Sequence, residues 1–304
     1  METTNYEVLI SLQPIESFCL WCDLLGYGTP FINSNWDLTS KESRKNLIRI
    51  AKLQHLMRGI NSVNPKETTL VLNDGFIKNV DVNDRHDGPL AYIYWLTSVI
   101  NYFRYLNKVD KENGFPGARG VLTYGHRVGF SRDIETARGK ILTHPDDQDY
   151  YNNMKVVYSP NEFQMNTAFS KAYIMESLGS RVGLRGPNLY IDAVFLDRFV
   201  KLIYDSKSPF FNRLENPVKD KDNDNVYTME IKQVPVSFEV NEYEDNEFYV
   251  WEVIQSTDNS SSRVLFKLWF DKNYINISEK GINTKLYKLI KYKPDNEDSI
   301  INLE

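Results

Sequence analysis

Hydrophobic and polar positions change period several times along this chain, and the changes predict its first elements. Residues 18–25 form an apolar run that predicts a buried strand over about 17–25. The cluster Gly26-Tyr27-Gly28-Thr29-Pro30 then breaks regular structure. Thr39 and Glu42 have capping-box spacing before an amphipathic helix that closes at Asn64-Pro65. The apolar positions of this helix are Leu47, Ile50, Ala51, Met57 and Ile60.

A hairpin follows the first helix. Residues 68–80 are apolar on both sides of Asn73-Asp74-Gly75, and Asp-Gly between hydrophobic runs is a strong hairpin signal. The turn of this hairpin is therefore expected to present the side chain of Asp74 at its tip.

The same periods continue through the middle of the chain. They predict helices over 90–107 and 166–178, and strands over 119–124, 154–158 and 189–192, with a polar excursion at 126–150. The resulting order, β-α-β-β-α-β-β-α-β, contains a split βαβ arrangement. It predicts an α+β fold, ferredoxin-like, with helices on one face of an antiparallel sheet.

The texture changes beyond Phe199. Residues 207–225 read as a polar linker, and 226–304 hold alternating segments typical of a small antiparallel sheet. The segment 285–292 favours a terminal helix. We therefore expect a domain over 1–206 and a β-rich region over 226–304.

Composition excludes several classes of partner. The 304 residues are 41% hydrophobic and carry a formal net charge of −5, whereas duplex nucleic acid requires clustered Lys and Arg. The amino terminus has no basic region followed by an apolar one, and the most apolar stretch, 89–103, is too short and polar to span a bilayer. These patterns predict a cytoplasmic protein without a membrane or nucleic-acid partner.

The only cysteines, Cys19 and Cys22, have C-x-x-C spacing. Both lie inside the predicted first strand, where alternation sends them to opposite faces, instead of opening a helix as in a redox site. We expect two buried structural thiols.

Two carboxylates are expected to meet at one edge of the sheet. Asp23 follows the first strand and Asp74 sits on the hairpin, which lies beside that strand in a split βαβ sheet. Buried like charges favour a divalent cation, and two such ions would serve in-line phosphoryl displacement. Turn chemistry alone also explains Asp74, but it does not explain an acidic residue at position 23.

These residues resemble the catalytic domain of class III nucleotide cyclases over about 15–200. Residues 21–28 are similar to that family's first metal strand, 71–76 to its metal-bearing hairpin, and 118–125 to its strand that begins with a phosphate-contacting arginine, here Arg119. The three segments come in the family's order. Residues 172–177, which end in Glu176-Ser177, resemble the helix that carries the family's transition-state Asn and Arg.

Within the family, 159–173 and 186–190 most resemble the pyrimidine cyclases of bacterial Pycsar antiphage defence. The resemblance implies conversion of UTP or CTP to the 3′,5′-cyclic monophosphate with loss of pyrophosphate. It also implies two manganese ions, with magnesium as the alternative, and a head-to-tail homodimer whose sites combine both subunits. The cyclic nucleotide would switch on a separate effector during phage infection.

The resemblance assigns roles to particular residues. Asp23 and Asp74 would hold the metal ions, with the Leu24 carbonyl completing one coordination shell, and Arg119 would balance charge on the phosphates. A surface ion pair is the alternative for Arg119. Backbone N–H groups would also donate hydrogen bonds to the substrate triphosphate from one turn, formed by Leu25, Gly26, Tyr27 and Gly28.

The chain also departs from the family pattern. The positions of the transition-state Asn and Arg hold Ser170 and Ile174 in one register, and the Arg position holds Ser170 in the other. Lys171, Arg181 or Arg185 would have to supply the missing charge. Leu70 stands where the purine cyclases have an adenine-reading Lys, which favours a different base.

Three functions stay open on the sequence alone. The first is a pyrimidine cyclase, in which Phe18 or Tyr124 are among many aromatic candidates for stacking the base. The second is a palm-type nucleotide polymerase, whose hairpin normally bears adjacent acidic residues, whereas Asn73-Asp74 bears one. The third is a degenerate cyclase that binds a nucleotide or a partner protein.

Overall fold

A computed structural model describes residues 10–59, 67–82, 89–130, 166–205, 210–219, 227–257, 262–294 and 300–303. The chain divides into two compact units, one of Met1–Val82 with Val109–Pro187 and one of Asn83–Lys108 with Asn188–Glu304. This division differs from the boundary expected at residue 206, because two segments from the middle of the chain cluster with the C-terminal strands. The strand expected at 154–158 lies outside the described residues.

The first unit contains an antiparallel sheet of four strands in the order β2-β3-β1-β4. Strands β1 and β2 are therefore parallel to each other with β3 between them, which is a split βαβ arrangement. The α+β class and the antiparallel sheet are confirmed. The elements are β1 (Ile10–Leu24), α1 (Thr29–Asn33), α2 (Lys41–Gly59), β2 (Glu67–Leu72), β3 (Gly75–Asp81), the end of α3 (Pro89–Glu112), β4 (Ala118–Phe130), α4 (Thr167–Leu178) and a 3₁₀ turn (Gly179–Val182).

The predicted hairpin is confirmed, and its glycine is needed for close packing. Leu72 pairs with Gly75, so Asn73 and Asp74 form the loop, and Asn73 takes a positive φ of 25°. A Cβ on Gly75 would lie 2.3 Å from the ring of Trp21 and 2.8 Å from the carbonyl oxygen of Cys22. Gly75 is therefore required by the close approach of β1 and not by the turn conformation.

Helix α2 buries only part of the apolar face that was predicted. Ile50 is buried as expected, together with Leu53, whereas Leu47 is 39% exposed and the polar residues Ser43, Asn46 and Arg49 are buried. The expected Thr39–Glu42 capping box is also wrong, because the N–H of Ser43 donates to the Ser40 hydroxyl at 3.1 Å. The buried polar side chains bond groups of the neighbouring segments, so these polar contacts set the orientation of this helix together with the burial of Ile50 and Leu53.

The second unit contains most of α3 and a series of antiparallel strands. The predicted β-rich C-terminal region is confirmed as antiparallel. Its elements are β5 (Leu189–Asp192), α5 (Ala193–Asp205), β6 (Phe210–Lys219), β7 (Tyr227–Glu244), β8 (Phe248–Thr257), β9 (Ser262–Asp271), β10 (Ile275–Glu279), β11 (Ile282–Pro294) and β12 (Ile301–Asn302). The strands pair in the order β5-β11-β9-β8-β7-β6, and the short strands β10 and β12 each pair with β11.

Two expectations for this unit are wrong. Residues 210–219, inside the predicted linker, form β6, which pairs along its whole length with β7. The segment 285–292 is part of β11 and not a helix. A register shift between Leu289 and Lys291 interrupts the alternation, so buried Leu286, Leu289 and Tyr292 fall at a helix-like spacing of three.

Helix α5 packs on β7 and β11, and the ring of its Phe199 lies 5.6 Å from that of Trp251 on the neighbouring strand β8. No helix among the described residues is long and apolar enough to cross a bilayer.

The first-unit thiols Cys19 and Cys22 are free and fully buried, as predicted, and burial raises the pKa of both. They are inert hydrophobic groups and not a redox pair.

We predict that Gly75→Ala lowers the free energy of unfolding by about 1–3 kcal/mol, because the added methyl overlaps a buried ring and a backbone carbonyl. Urea denaturation measures the change. The matched control is Gly28→Ala, where an added Cβ meets nothing within 4 Å, and equal effects of the two substitutions would contradict the packing role of Gly75.

Candidate functional site

The strand register brings the predicted site residues to one end of the first-unit sheet. Asp23 lies directly opposite Gly75 of β3 on one side and Arg119 of β4 on the other. Asp74 immediately precedes Gly75, and its carbonyl accepts the N–H of Leu24 at 2.8 Å. The two carboxylates and the guanidinium, far apart in sequence, therefore belong to neighbouring strand ends.

Negative charge is crowded around Asp23. Its pKa is raised to about 7, first by burial and then by the nearby carboxylates of Glu176 and Asp74. The guanidinium groups of Arg119 and Arg49 act in the opposite direction without cancelling the shift. A carboxyl group with so high a pKa is partly protonated near neutral pH, and a bound cation would displace that proton.

Arg119 is engaged within the protein. Its Nε and Nη2 donate to Glu176 Oε1 at 2.9 and 2.5 Å, and its Nη1 donates to the Leu184 carbonyl at 3.1 Å. The side chain is 13% exposed. In this geometry Arg119 fastens the end of α4 and the following loop to β4, so a phosphate contact would require it to exchange one of these partners. Its phosphate-binding role stays a prediction.

The turn after β1 is only partly available to a ligand. The N–H of Leu25 donates to the Gly117 carbonyl at 2.9 Å, and that of Tyr27 makes a longer bond of 3.4 Å to the Leu24 carbonyl. Among the described residues, the N–H groups of Gly26 and Gly28 have no acceptor. These two donors are the ones the turn can offer to a triphosphate.

A buried ion pair, which the sequence analysis missed, supports this turn. Arg49 of α2 binds Asp110 at the end of α3 through two bonds of 2.8 and 2.6 Å. Its Nη1 also donates to the Leu25 carbonyl at 3.1 Å. Asn46, one helical turn earlier, donates to the Tyr27 carbonyl at 2.7 Å. The signal for this support was the recurrence of polar residues at intervals of three along α2.

Helix α4 begins where the sequence predicted. Asn166 caps it by accepting the Phe169 N–H at 2.9 Å, and its amide donates to Asn79 Oδ1 at 2.9 Å. A Cβ on Gly125 would lie 2.6 Å from the Ala168 nitrogen, so the helix packs directly on β4. Phe169 contacts Trp21 of β1 with ring centroids 5.9 Å apart.

Lys171 and Arg181, two of the cations expected to replace the missing transition-state arginine, both contact backbone carbonyls. Lys171 Nζ lies 3.5 Å from the Tyr124 carbonyl, and Arg181 Nε lies 3.4 Å from the Leu178 carbonyl. Ser170 bonds the carbonyl of Asn166 at 3.0 Å. All three side chains therefore contact backbone groups of the same unit.

The donor atoms at the sheet end suit a hard divalent cation. They are the carboxylates of Asp23 and Asp74 and the carbonyl of Leu24, all oxygen, as Mn²⁺ and Mg²⁺ prefer. No group of three or more His, Cys, Asp or Glu side chains in the described part of the chain is arranged to hold a metal. The residues therefore fit ions that keep water or substrate phosphate in their remaining positions.

Phe18 cannot serve as the base-stacking residue. Its side chain is 0% exposed and packs edge-on against Tyr124, with ring centroids 6.1 Å apart. Tyr124 in turn lies against His126, with its hydroxyl 3.2 Å from Nε2. This pair belongs to the packing of β1 on β4.

Comparisons with known proteins give a weak structural likeness to a solved cyclase structure. No family model and no curated protein matches the chain. Among solved structures, the adenylyl cyclase CyaB from P. aeruginosa is similar with a TM-score of 0.42 and 8% sequence identity, over 94% of this chain and 98% of that one. A TM-score this low does not establish a shared fold, so the function must be argued from the site itself.

We predict that Asp23→Asn stabilises the protein at pH 8 more than at pH 5. The folded-state pKa of Asp23, about 7, lies above its ordinary value of 3.8, so the stability that Asp23 contributes declines as pH rises between those values. The amide of the Asn variant does not ionise, so its contribution to stability does not decline with pH. The difference between variant and wild type should grow by about 1–2 kcal/mol across this range, given the partial exposure of the group.

Urea denaturation in EDTA at the two pH values measures this difference. Asp37→Asn is the control, since Asp37 is an exposed carboxylate of the same unit whose pKa is lowered and not raised. A pH-independent difference for Asp23→Asn would contradict the crowded environment of that residue.

Proposed function

We propose that this protein is a nucleotide cyclase that converts a nucleoside triphosphate to its 3′,5′-cyclic monophosphate and pyrophosphate. The supporting observation is the register that sets Asp23 opposite Gly75 and Arg119, with Asp74 on the adjoining turn. This arrangement supplies two carboxylates for divalent ions at the end of a split βαβ sheet. The segments that carry the resemblance to class III cyclases are the same strand ends.

The chemistry needs no covalent intermediate. The 3′-oxygen attacks the α-phosphorus, the bond from that phosphorus to the β-phosphate oxygen breaks, and the proton of the 3′-hydroxyl leaves to solvent. Divalent ions, when bound, lower the pKa of that hydroxyl and offset the charge of the departing pyrophosphate. Asp23 and Asp74 hold the ions in this scheme, with the Leu24 carbonyl as a further ligand.

The remaining residues orient the substrate. Gly26 and Gly28 donate their backbone N–H groups to phosphate oxygens, because the other two N–H groups of the turn are engaged. The Arg49–Asp110 pair holds this turn in place. Arg119 lies next to Asp23 and compensates negative charge, either directly on a phosphate or through its bond to Glu176.

We extend the proposal to a pyrimidine cyclase of the ferredoxin-like class III type. UTP or CTP is the substrate, Mn²⁺ the preferred ion and Mg²⁺ its substitute, and the working form is a head-to-tail homodimer in the cytoplasm. Leu70 in place of the adenine-reading Lys supports a base other than adenine. The cyclic product then acts on a separate effector in antiviral defence against phage.

One observation favours a second candidate, a degenerate cyclase that binds nucleotide without turnover. Arg119 is engaged by Glu176 and Leu184, and Lys171 and Arg181 contact backbone groups. In the single chain, each of these three cations is therefore bonded to another group of the protein. A binding module of this kind would still hold a metal–triphosphate complex.

Incubation of the full chain with ATP, GTP, CTP or UTP and Mn²⁺, followed by mass spectrometry, separates these functions. A cyclic pyrimidine monophosphate supports the proposed cyclase, and a cyclic purine monophosphate keeps the reaction but rejects the base. A linear dinucleotide supports a palm-type polymerase. Binding without any product supports the degenerate module.

We predict that Asp74→Ala abolishes cyclic product while the melting temperature stays within a few degrees of wild type. Asp74 lies in a two-residue turn and is only half-buried, so its loss removes the proposed metal ligand without disturbing the core. The matched control is Glu42→Ala, an exposed carboxylate of α2 in the same unit. Normal cyclisation by the Asp74 variant would show that this residue serves only the turn.

A further inference from the structure

Three aromatic rings lead away from the turn that follows β1. The rings of Tyr27 and Phe31 are 5.2 Å apart, and those of Phe31 and Trp36 are 6.2 Å apart with planes only 7° from parallel. The Tyr27 hydroxyl donates to Asn73 Oδ1 at 3.1 Å, which ties the first ring to the hairpin loop beside Asp74. The series therefore begins at the candidate site and ends at Trp36.

Trp36 is unusually placed for a tryptophan. It is 67% exposed, although Phe31 beneath it is buried. Its φ of 62° and that of Asn35, 53°, are both in the left-handed region, which is an outlier for a bulky side chain. Because the ring is mostly exposed, its burial does not offset the conformational cost of the positive φ, and other contacts must stabilise this position.

Specific contacts fix this conformation. The Trp36 N–H donates to the Phe31 carbonyl at 2.7 Å, and the hydroxyls of Ser34 and Ser43 lie 2.8 Å apart, joining the loop to α2. Ser43 lies on the same buried polar face as Arg49. The indole is thus held on the segment whose other end forms the phosphate-binding turn.

We propose that the exposed face of Trp36 stacks on the base of the nucleoside triphosphate whose phosphates occupy the turn at residues 25–28. This inference rests on the proposed function and names a residue that positions its substrate. Every base has a π-face, so a flat indole provides affinity that is tolerant of base identity. Trp36 therefore strengthens binding of the nucleoside without selecting between pyrimidine and purine.

Binding of two probes in the presence of Mn²⁺ tests the inference. The first is 3′-deoxy-UTP, which carries a base but lacks the attacking hydroxyl, and the second is inorganic tripolyphosphate, which has no base. Calorimetry on the full chain should show that Trp36→Ala weakens 3′-deoxy-UTP binding by about tenfold, within the range for loss of one base–aromatic stack. Tripolyphosphate binding should not change.

Matched variants separate stacking from apolar contact. Trp36→Tyr keeps a π-face and should retain most of the affinity, whereas Trp36→Leu keeps only apolar bulk and should behave like Trp36→Ala. Trp36→Asn suits the left-handed backbone best and provides a folded variant without the ring if the others unfold. Ile32→Ala, which removes a 64%-exposed apolar side chain of α1, is the control and should bind both probes as wild type.

The outcomes for the two hypotheses are distinguishable. Failure of the wild-type chain to bind tripolyphosphate with Mn²⁺ would contradict the proposed function itself. Normal tripolyphosphate binding with equal 3′-deoxy-UTP affinity in wild type and in Trp36→Asn would overturn the stacking role alone. Full affinity in Trp36→Leu, or a change in subunit number by light scattering in Trp36→Asn, would overturn it in favour of an apolar contact or an interface between copies.

Discussion

The buried ion pair between Arg49 and Asp110 is the constraint on which the candidate site depends. Both side chains are 1% exposed, so each charge has lost its water and must be satisfied within the protein. The carboxylate accepts both bonds from the guanidinium and also the Gly117 N–H at 2.9 Å. Two further donors of Arg49 bond the carbonyls of Leu25 and Gly117, at 3.1 and 3.3 Å. These bonds offset the cost of burying both charges.

The position of this pair explains its importance. Leu25 comes two residues after Asp23, and Gly117 two residues before Arg119, and the two backbones are bonded to each other at 2.9 Å. The guanidinium of Arg49 therefore joins the end of β1 and the start of β4 to each other and to helices α2 and α3. Loss of either partner would leave an unpaired buried charge, and the segments that carry the site would lose their common anchor.

Much of the first unit could be predicted from local patterns. The apolar run before Asp23, the turn at Asn73-Asp74 and the Asn166 cap each depend on residues close in sequence, and the structure contains all three elements. Their meeting at one sheet end follows from the split βαβ order. The metal, substrate and dimer assigned to this site come from resemblance and stay predictions.

Other features depend on partners distant in sequence and could not be read locally. Helix α2 buries polar residues because Asn46 and Arg49 bond a turn about twenty residues earlier and a helix end about sixty residues later. The bond between Arg119 and Glu176 joins two elements that sequence alone does not align. In the second unit, a register shift in β11 gave a strand the spacing of a helix.

The central claim is that Asp23 and Asp74 together bind divalent ions at the end of the first-unit sheet. Titration of the full chain with Mn²⁺ at pH 8, with free ion counted by electron paramagnetic resonance, tests it most directly. At this pH Asp23, with its pKa raised to about 7, is mostly ionised. We expect saturable binding by wild type and its loss in the Asp23→Asn, Asp74→Asn double variant. Equal Mn²⁺ binding by the two proteins, or none by wild type, would contradict the account.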